Sequence, residues 1–176
     1  MLKHAEKPVL GFAAYSGVGK TTLLKQLLPL LADQGVRVGL IKLSHHRFEI
    51  DIPGKDSYEL RKAGAGQVLI ASAHRWAMVT EVAEPAEPVL DEMLSHLDQA
   101  VLDLVLIEGF RHEAFPKIEL HRPDTGQPLL FPSDPHIIAV ATDGSLPVEP
   151  EIPLLDLNDH LGIRDFILNW IDKRSQ

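Results

Sequence analysis

Val9-Leu-Gly-Phe-Ala-Ala-Tyr-Ser-Gly-Val-Gly-Lys-Thr-Thr-Leu-Leu-Lys-Gln-Leu-Leu28 is the stretch whose reading decides the fold. Residues 9–14 form a nearly continuous apolar run, as in a central strand of a parallel sheet covered on both faces. A turn of small residues follows, and then a helix with leucine around most of its circumference. Strand, glycine-rich turn and helix in that order read as a phosphate-binding loop. Gly17 and Gly19 permit backbone conformations that a side chain would forbid, so the amides of Ser16, Gly17, Val18 and Gly19 can turn inward toward phosphate oxygens. The helix start adds unpaired amides and a positive dipole end. Lys20 would reach the β- and γ-phosphates, Thr21 would place its hydroxyl on a bridging magnesium ion, and Thr22 would lie near the α-phosphate. Ala14 stands where the common pattern opens with glycine, at an end of the loop that needs little room.

A second motif supports the first. Leu104-Val-Leu-Ile107 followed by Glu108 is a strand that carries a carboxylate to its carboxyl end, where it can hold magnesium directly or through a water. Asp103 sits about 17 Å away at the other end of that strand and reads as a surface residue. The Gly109 amide could face a γ-phosphate. Further on, Thr142 and Asp143 close a late strand, where a carboxylate could accept the paired donors of guanine; the same two residues are also ordinary turn chemistry. His45 and His46 lack nearby partners for a metal site and read as loop histidines. Lys42, Lys55, Arg61, Arg75 and Arg111 lie near strand ends or loops, where most should make exposed pairs and one or two could meet phosphate. No glutamine or histidine is placed to orient an attacking water and no arginine finger can be named, so the catalytic residues are unknown and hydrolysis should be slow or partner-dependent.

Composition excludes several other functions. A formal net charge of −8 leaves no basic surface for nucleic acid. No apolar run approaches the ~20 residues of a membrane span, and the polar residues 1–7 have no signal-peptide core behind them, so a cytoplasmic setting is expected. The chain has no cysteine, hence no disulfide and no thiolate site. Between Arg75 and Arg111 there is no lysine or arginine but a run of acids, read as a solvated helix face with its loop, the alternative being an acidic docking surface for a partner.

The remaining pattern gives the class. Strands are predicted at 36–42, 68–71, 76–80, 117–121, 136–141 and 154–156, and helices at 20–34, 56–66, 89–99 and from 160 onward. Asp56 with Glu59 has the form of a capping box, and Asn158 or Asp159 caps the last helix, whose buried stripe is Leu161, Phe166, Ile167, Trp170 and Ile171. The expected fold is α/β, like a P-loop NTPase, with a doubly wound, mostly parallel sheet in one domain over residues 1–176. The hairpin-like pair in the middle and the strand at 117–121 suggest antiparallel additions at one edge.

The phosphate loop, Pro53-Gly-Lys-Asp-Ser-Tyr-Glu-Leu-Arg-Lys-Ala-Gly-Ala65, Arg75-Trp76-Ala77 and Leu106-Ile-Glu-Gly-Phe110, taken together, resemble the family of molybdopterin-guanine dinucleotide biosynthesis adapters, protein B of that pathway. The resemblance covers nearly the whole chain. It implies a small GTP-binding protein with weak GTPase activity and magnesium, often homodimeric. Such a protein would assist the guanylyltransferase that attaches GMP to the molybdenum cofactor, and the enzymes that load it. It also implies guanine as the base and Gly17, Gly19, Lys20, Thr21 and Thr22 as the nucleotide site. Lys42-Leu43 stands where the family usually has Lys-His. The other class open to a P-loop chain is a true enzyme, either a small-molecule kinase or a metal-insertion GTPase. The sequence shows neither the arginine-rich lid of the first nor the cysteine or histidine-rich tract of the second.

Overall fold

Every strand pairing in the main sheet is parallel, and the strand order is β2-β5-β1-β6-β7-β8. The strands are β1 (Val9–Ala13), β2 (Val38–Lys42), β5 (Leu104–Glu108), β6 (Lys117–His121), β7 (Ile137–Thr142) and β8 (Leu154–Asp156). Between β2 and β5 in the chain lie β3 (Gln67–Ala71) and β4 (Trp76–Thr80), which form a separate antiparallel two-stranded sheet. The described residues also form four α-helices, α1 (Lys20–Ala32), α2 (Asp56–Lys62), α3 (Leu90–Leu94) and α4 (His160–Asp172), and two short 3-10 turns, Gln99–Val101 and Pro123–Thr125. This computed structural model describes residues 2–44 and 48–174. Its contacts group into two compact units, Met1–Leu43 with Pro88–Gln176, and Ser44–Glu87.

In the larger unit the two sheet faces have different covers. Leu10, Phe12, Leu104, Leu106, Ile118 and Leu120 point to the side packed by α1 and α4. Val9, Val105 and Ile107 point the other way, to Leu90 and Leu94 of α3 and to Phe110 and Phe115. Burial on both faces explains why β1 and β5 read as unbroken apolar runs. The link from β5 to β6 crosses over β1 without a helix, and Gly11 lets it lie close: a Cβ there would stand 2.4 Å from the Phe115 ring. The polar leader is tied down by Gln99, whose side chain donates to the carbonyls of His4 at 2.7 Å and Leu94 at 2.9 Å and accepts from the Glu6 amide at 2.9 Å. The His4 amide in turn donates to Asp91 at 2.9 Å. Asp103 closes the amino end of β5 by accepting three hydrogen bonds from Arg37, which hold its carboxyl well below the usual carboxylate range.

Four sequence expectations need correction. The strand at 117–121 is not an antiparallel edge addition: β6 is parallel and lies inside the sheet between β1 and β7. Its alternating pattern mimics a half-exposed strand, but Lys117, Glu119 and His121 are all buried. The β3–β4 pair likewise does not extend the main sheet. Asp56 is the first residue of α2 and not its cap; Lys55 holds that position and makes no side-chain capping bond. In α4 the exposed Leu161 gives its place to Ile163, which is fully buried with Ile167. The cap of α4 does follow the sequence. Asp159 accepts from the Gly162 amide at 2.9 Å.

In the smaller unit the organising group is Arg61. Its side chain is 5% exposed and donates to Asp51 from Nε at 3.3 Å and from Nη2 at 2.8 Å, with Glu49 sharing Nη2 and Glu81 at Nη1. It is therefore no loose surface cation. The hydrogen bond from Arg61 holds the Asp51 carboxyl below its ordinary value against the upward push of burial.

Two outcomes follow. Asp159→Ala should lower stability by about 1 kcal/mol in thermal melts. A depressed carboxyl contributes stability that is full above the unfolded value near 3.9 and fades as pH falls through the folded one. Asp51→Asn should therefore lower the urea midpoint at about pH 7, and the gap to the unaltered chain should narrow as the pH falls below about 3.9.

Candidate nucleotide-binding site

Residues 14–19 join β1 to α1 with both glycines in the left-handed region, Gly17 at φ 84° and Gly19 at φ 107°. Gly19 occupies the N-cap position and offers no side chain, so the first amides of α1 have no side-chain cap. Val18 is 2% exposed and pins the loop into the core beside Ala14, while Ser16, Gly17, Thr21 and Thr22 lie open to solvent. A loop anchored at one side chain and open at its backbone suits an anion. Lys20 folds back across it, its Nζ donating to the carbonyls of Ala14 at 2.9 Å and Tyr15 at 3.2 Å. Burial lowers the Lys20 pKa below the ordinary lysine value; Glu108 opposes the shift, and Arg111 and Lys42 add to it.

The sheet brings the second motif to the first. Glu108 pairs in register with Phe12 on one side and Lys42 on the other, so three strand ends converge beside Thr21. The Thr21 hydroxyl donates to Glu108 Oε1 at 3.1 Å. Lys42 Nζ lies 2.9 and 3.0 Å from the two Glu108 oxygens and 3.5 Å from Thr21 Oγ1. One ammonium thus touches both groups that the sequence nominated for magnesium. A hydroxyl and a carboxylate are hard oxygen donors of the kind magnesium takes, with its remaining positions going to phosphate and water. The chain turns sharply after Glu108. Gly109 has φ 102° and a Cβ there would stand 2.6 Å from that of Leu43, while Phe110 is the one non-glycine with positive φ among the described residues, at 51°.

Asp143 is brought to the loop through a residue that sequence reasoning did not single out. Arg122 donates from Nε to the Val18 carbonyl at 2.9 Å and pairs through Nη1 with Asp143. His121 and Thr142 are register partners, which makes Arg122 and Asp143 neighbours one step beyond the paired ends. That relation needs the strand order, so no local signal could have revealed it. Thr142 also makes the turn, its Oγ1 accepting from the Gly144 amide at 3.3 Å. Arg111 lies over the Tyr15 ring, 5.3 Å from its centroid. The His45–His46 pair lies outside the described residues, and among the described residues no group of three acidic, histidine or cysteine side chains could hold a metal by itself.

Residues 9–143 match the family model described as molybdopterin guanine dinucleotide synthesis protein B. The chain belongs to that family. Among protein B relatives, the molybdopterin-guanine dinucleotide biosynthesis adapter protein of Escherichia coli (strain K12) is 50% identical over 169 residues, which span 96% of this chain and 95% of that one. The adapter protein of Haemophilus influenzae (strain ATCC 51907 / DSM 11121 / KW20 / Rd) is 46% identical over 93% of this chain and 89% of its own length. A crystal structure of molybdopterin-guanine biosynthesis protein B superposes with a TM-score of 0.71 at 26% identity, covering 93% of this chain and 99% of that one. The resemblance read from the sequence and the α/β class with a mostly parallel sheet both hold for this protein B member.

The Lys42–Glu108 contact is measurable. A double-mutant cycle on Lys42→Met and Glu108→Gln, read by urea unfolding without nucleotide, should give a coupling energy of roughly 1 kcal/mol, because Lys42 is half exposed and only the carboxylate is buried.

Proposed function

We propose that this chain is a guanine-nucleotide-binding adapter with weak GTPase activity that assists the attachment of GMP to molybdopterin. The observation that carries the reading is the convergence of Lys20, Thr21 and Glu108 at the carboxyl ends of adjacent parallel strands, beside a loop whose glycines turn its backbone. The amides of Ser16, Gly17, Val18 and Gly19 would take the phosphates, Lys20 would leave the loop carbonyls for the β- and γ-oxygens, and Thr22 would face the α-phosphate. Thr21 and Glu108 would hold magnesium. A divalent ion there supplies positive charge that screens the triphosphate, while the chain's own groups orient it.

Asp143 would read the base, freed from or shared with Arg122. The names of the protein B relatives support a place in molybdenum cofactor assembly, with a guanylyltransferase and cofactor-loading enzymes as partners. No described helix is long and apolar enough to cross a membrane, in keeping with a cytoplasmic partner. A homodimer is supported by the apolar side chains left exposed in the smaller unit, among them Phe48, Ile52, Leu69 and Trp76.

Calorimetric titration tests the site and the base together. GTP should bind at least about tenfold tighter than ATP, a difference of roughly 1.4 kcal/mol. Lys20→Ala should weaken GTP by about a hundredfold or more, and Asp143→Ala should shrink the preference for GTP over ATP. Equal affinity for both nucleotides, or unchanged uptake in Lys20→Ala, would overturn the assignment.

A further inference from the structure

Three ionisable side chains share one face of β6, and none of Lys117, Glu119 and His121 is more than 5% exposed. An interior parallel strand ordinarily buries aliphatics on that face, and drawing an ion out of water costs several kcal/mol even after the protein relaxes. Two of the three have an evident task. Lys117 Nζ donates to the carbonyls of Arg111 at 3.0 Å and Glu113 at 2.7 Å and pairs with Asp134 at 2.8 Å. Glu119, its carboxyl raised by burial, accepts the amides of Leu130 and Phe131 at 2.8 Å each. These buried charges hold residues 111, 113, 130, 131 and 134, and the two stretches that contain them, with Ala13 and Tyr15, line an open cleft of about 370 Å³. That volume lies in the range of small-molecule sites, and supports of this kind preorganise such sites.

The cleft has a definite chemistry. The Arg111 guanidinium carbon stands 5.3 Å from the centre of the Tyr15 ring, and its Nε donates to His112 at 3.1 Å. Its two terminal amino groups have no protein partner among the described residues, which leaves a guanidinium fork for an anion. His112, Ser133 and His136 also line the cleft. Asp134 is neutralised by Lys117 and does not oppose an anion. The Glu113 carboxylate has no partner among the described residues and could accept ring N–H groups, while the guanidinium and Tyr15 could stack on a planar ring. Tyr15 also ties the cleft to the phosphate loop, because its carbonyl accepts from Lys20 while its side chain lines the cleft.

We propose that this cleft binds a second small molecule, a phosphomonoester carrying a heterocycle with ring N–H groups, beside the nucleotide. The site goes beyond the guanine-nucleotide reading and uses none of the residues assigned to phosphates, metal or base. Its test uses uridine 5′-monophosphate and inorganic phosphate as probes on the full-length Lys20→Ala chain, followed by ¹⁵N–¹H correlation spectra, so that the phosphate loop does not compete. Amide shifts should gather at Tyr15, 111–114 and 133–136, with the uridine phosphate binding about tenfold tighter than phosphate alone. Adding Arg111→Gln should weaken both probes by about tenfold, and adding Glu113→Leu should remove the advantage of the uridine phosphate. Absence of shifts at these residues up to roughly 10 mM probe, shifts confined to 16–21, or binding indifferent to Arg111→Gln would each overturn the proposal. The guanine-nucleotide reading stands or falls separately, on GTP titration of the unaltered chain.

Discussion

The carboxylate of Glu108 is the constraint on which the rest of the architecture turns. It is largely buried at the meeting point of three parallel strands, so it needs a compensating charge and a hydrogen-bond donor. Lys42 supplies the first from β2 and Thr21 the second from α1. Satisfying one acid therefore fixes the ends of β2 and β5 and the start of α1 relative to one another. Under the proposed nucleotide reading the same requirement would ready the place for a divalent ion, because an oxygen pair that faces a cation in the nucleotide-free chain would face a different one beside a bound triphosphate.

A parallel logic operates on the far side of β1. There the sheet buries a lysine, a glutamate and a histidine where aliphatics would be easier, and the lysine and the glutamate hold the segments that connect β5 to β6 and β6 to β7. Between the two sides runs the phosphate loop, pinned by Val18 from below and by Arg122 at its carbonyl. Many charges in this molecule act by locating backbone, the partly exposed Asp91 and Asp103 among them.

What could be read from sequence divides along the same line. The first strand, the loop and α1 were legible because their signals are local: an apolar run, two glycines, a lysine and a leucine-rich helix within twenty residues. Glu108 was legible for the same reason, as the acid that ends an aliphatic run. Residues defined by strand order were not. Arg122 meets Asp143 only because β6 and β7 are neighbours, and Lys42 meets Glu108 only because β2 pairs with β5. Strand β6 misled because period-two polarity means half-exposure in most sheets, whereas here the polar half faces a buried network. Arg61 misled in the same way, since a cation in a charged helix gives no local sign that three carboxylates from other segments will surround it.

Gln99 acts as a clasp on the residues that precede β1. Its amide group is 5% exposed and divides its bonds between His4, Glu6 and Leu94, so the leader is part of the fold and not a free tail. Cutting the chain just before Pro8 would strip two of those partners away and leave a half-satisfied amide beside α3, at a penalty of about 1–3 kcal/mol. Fusion partners and affinity tags on this protein therefore belong ahead of residue 2 with a spacer, where they leave that clasp shut.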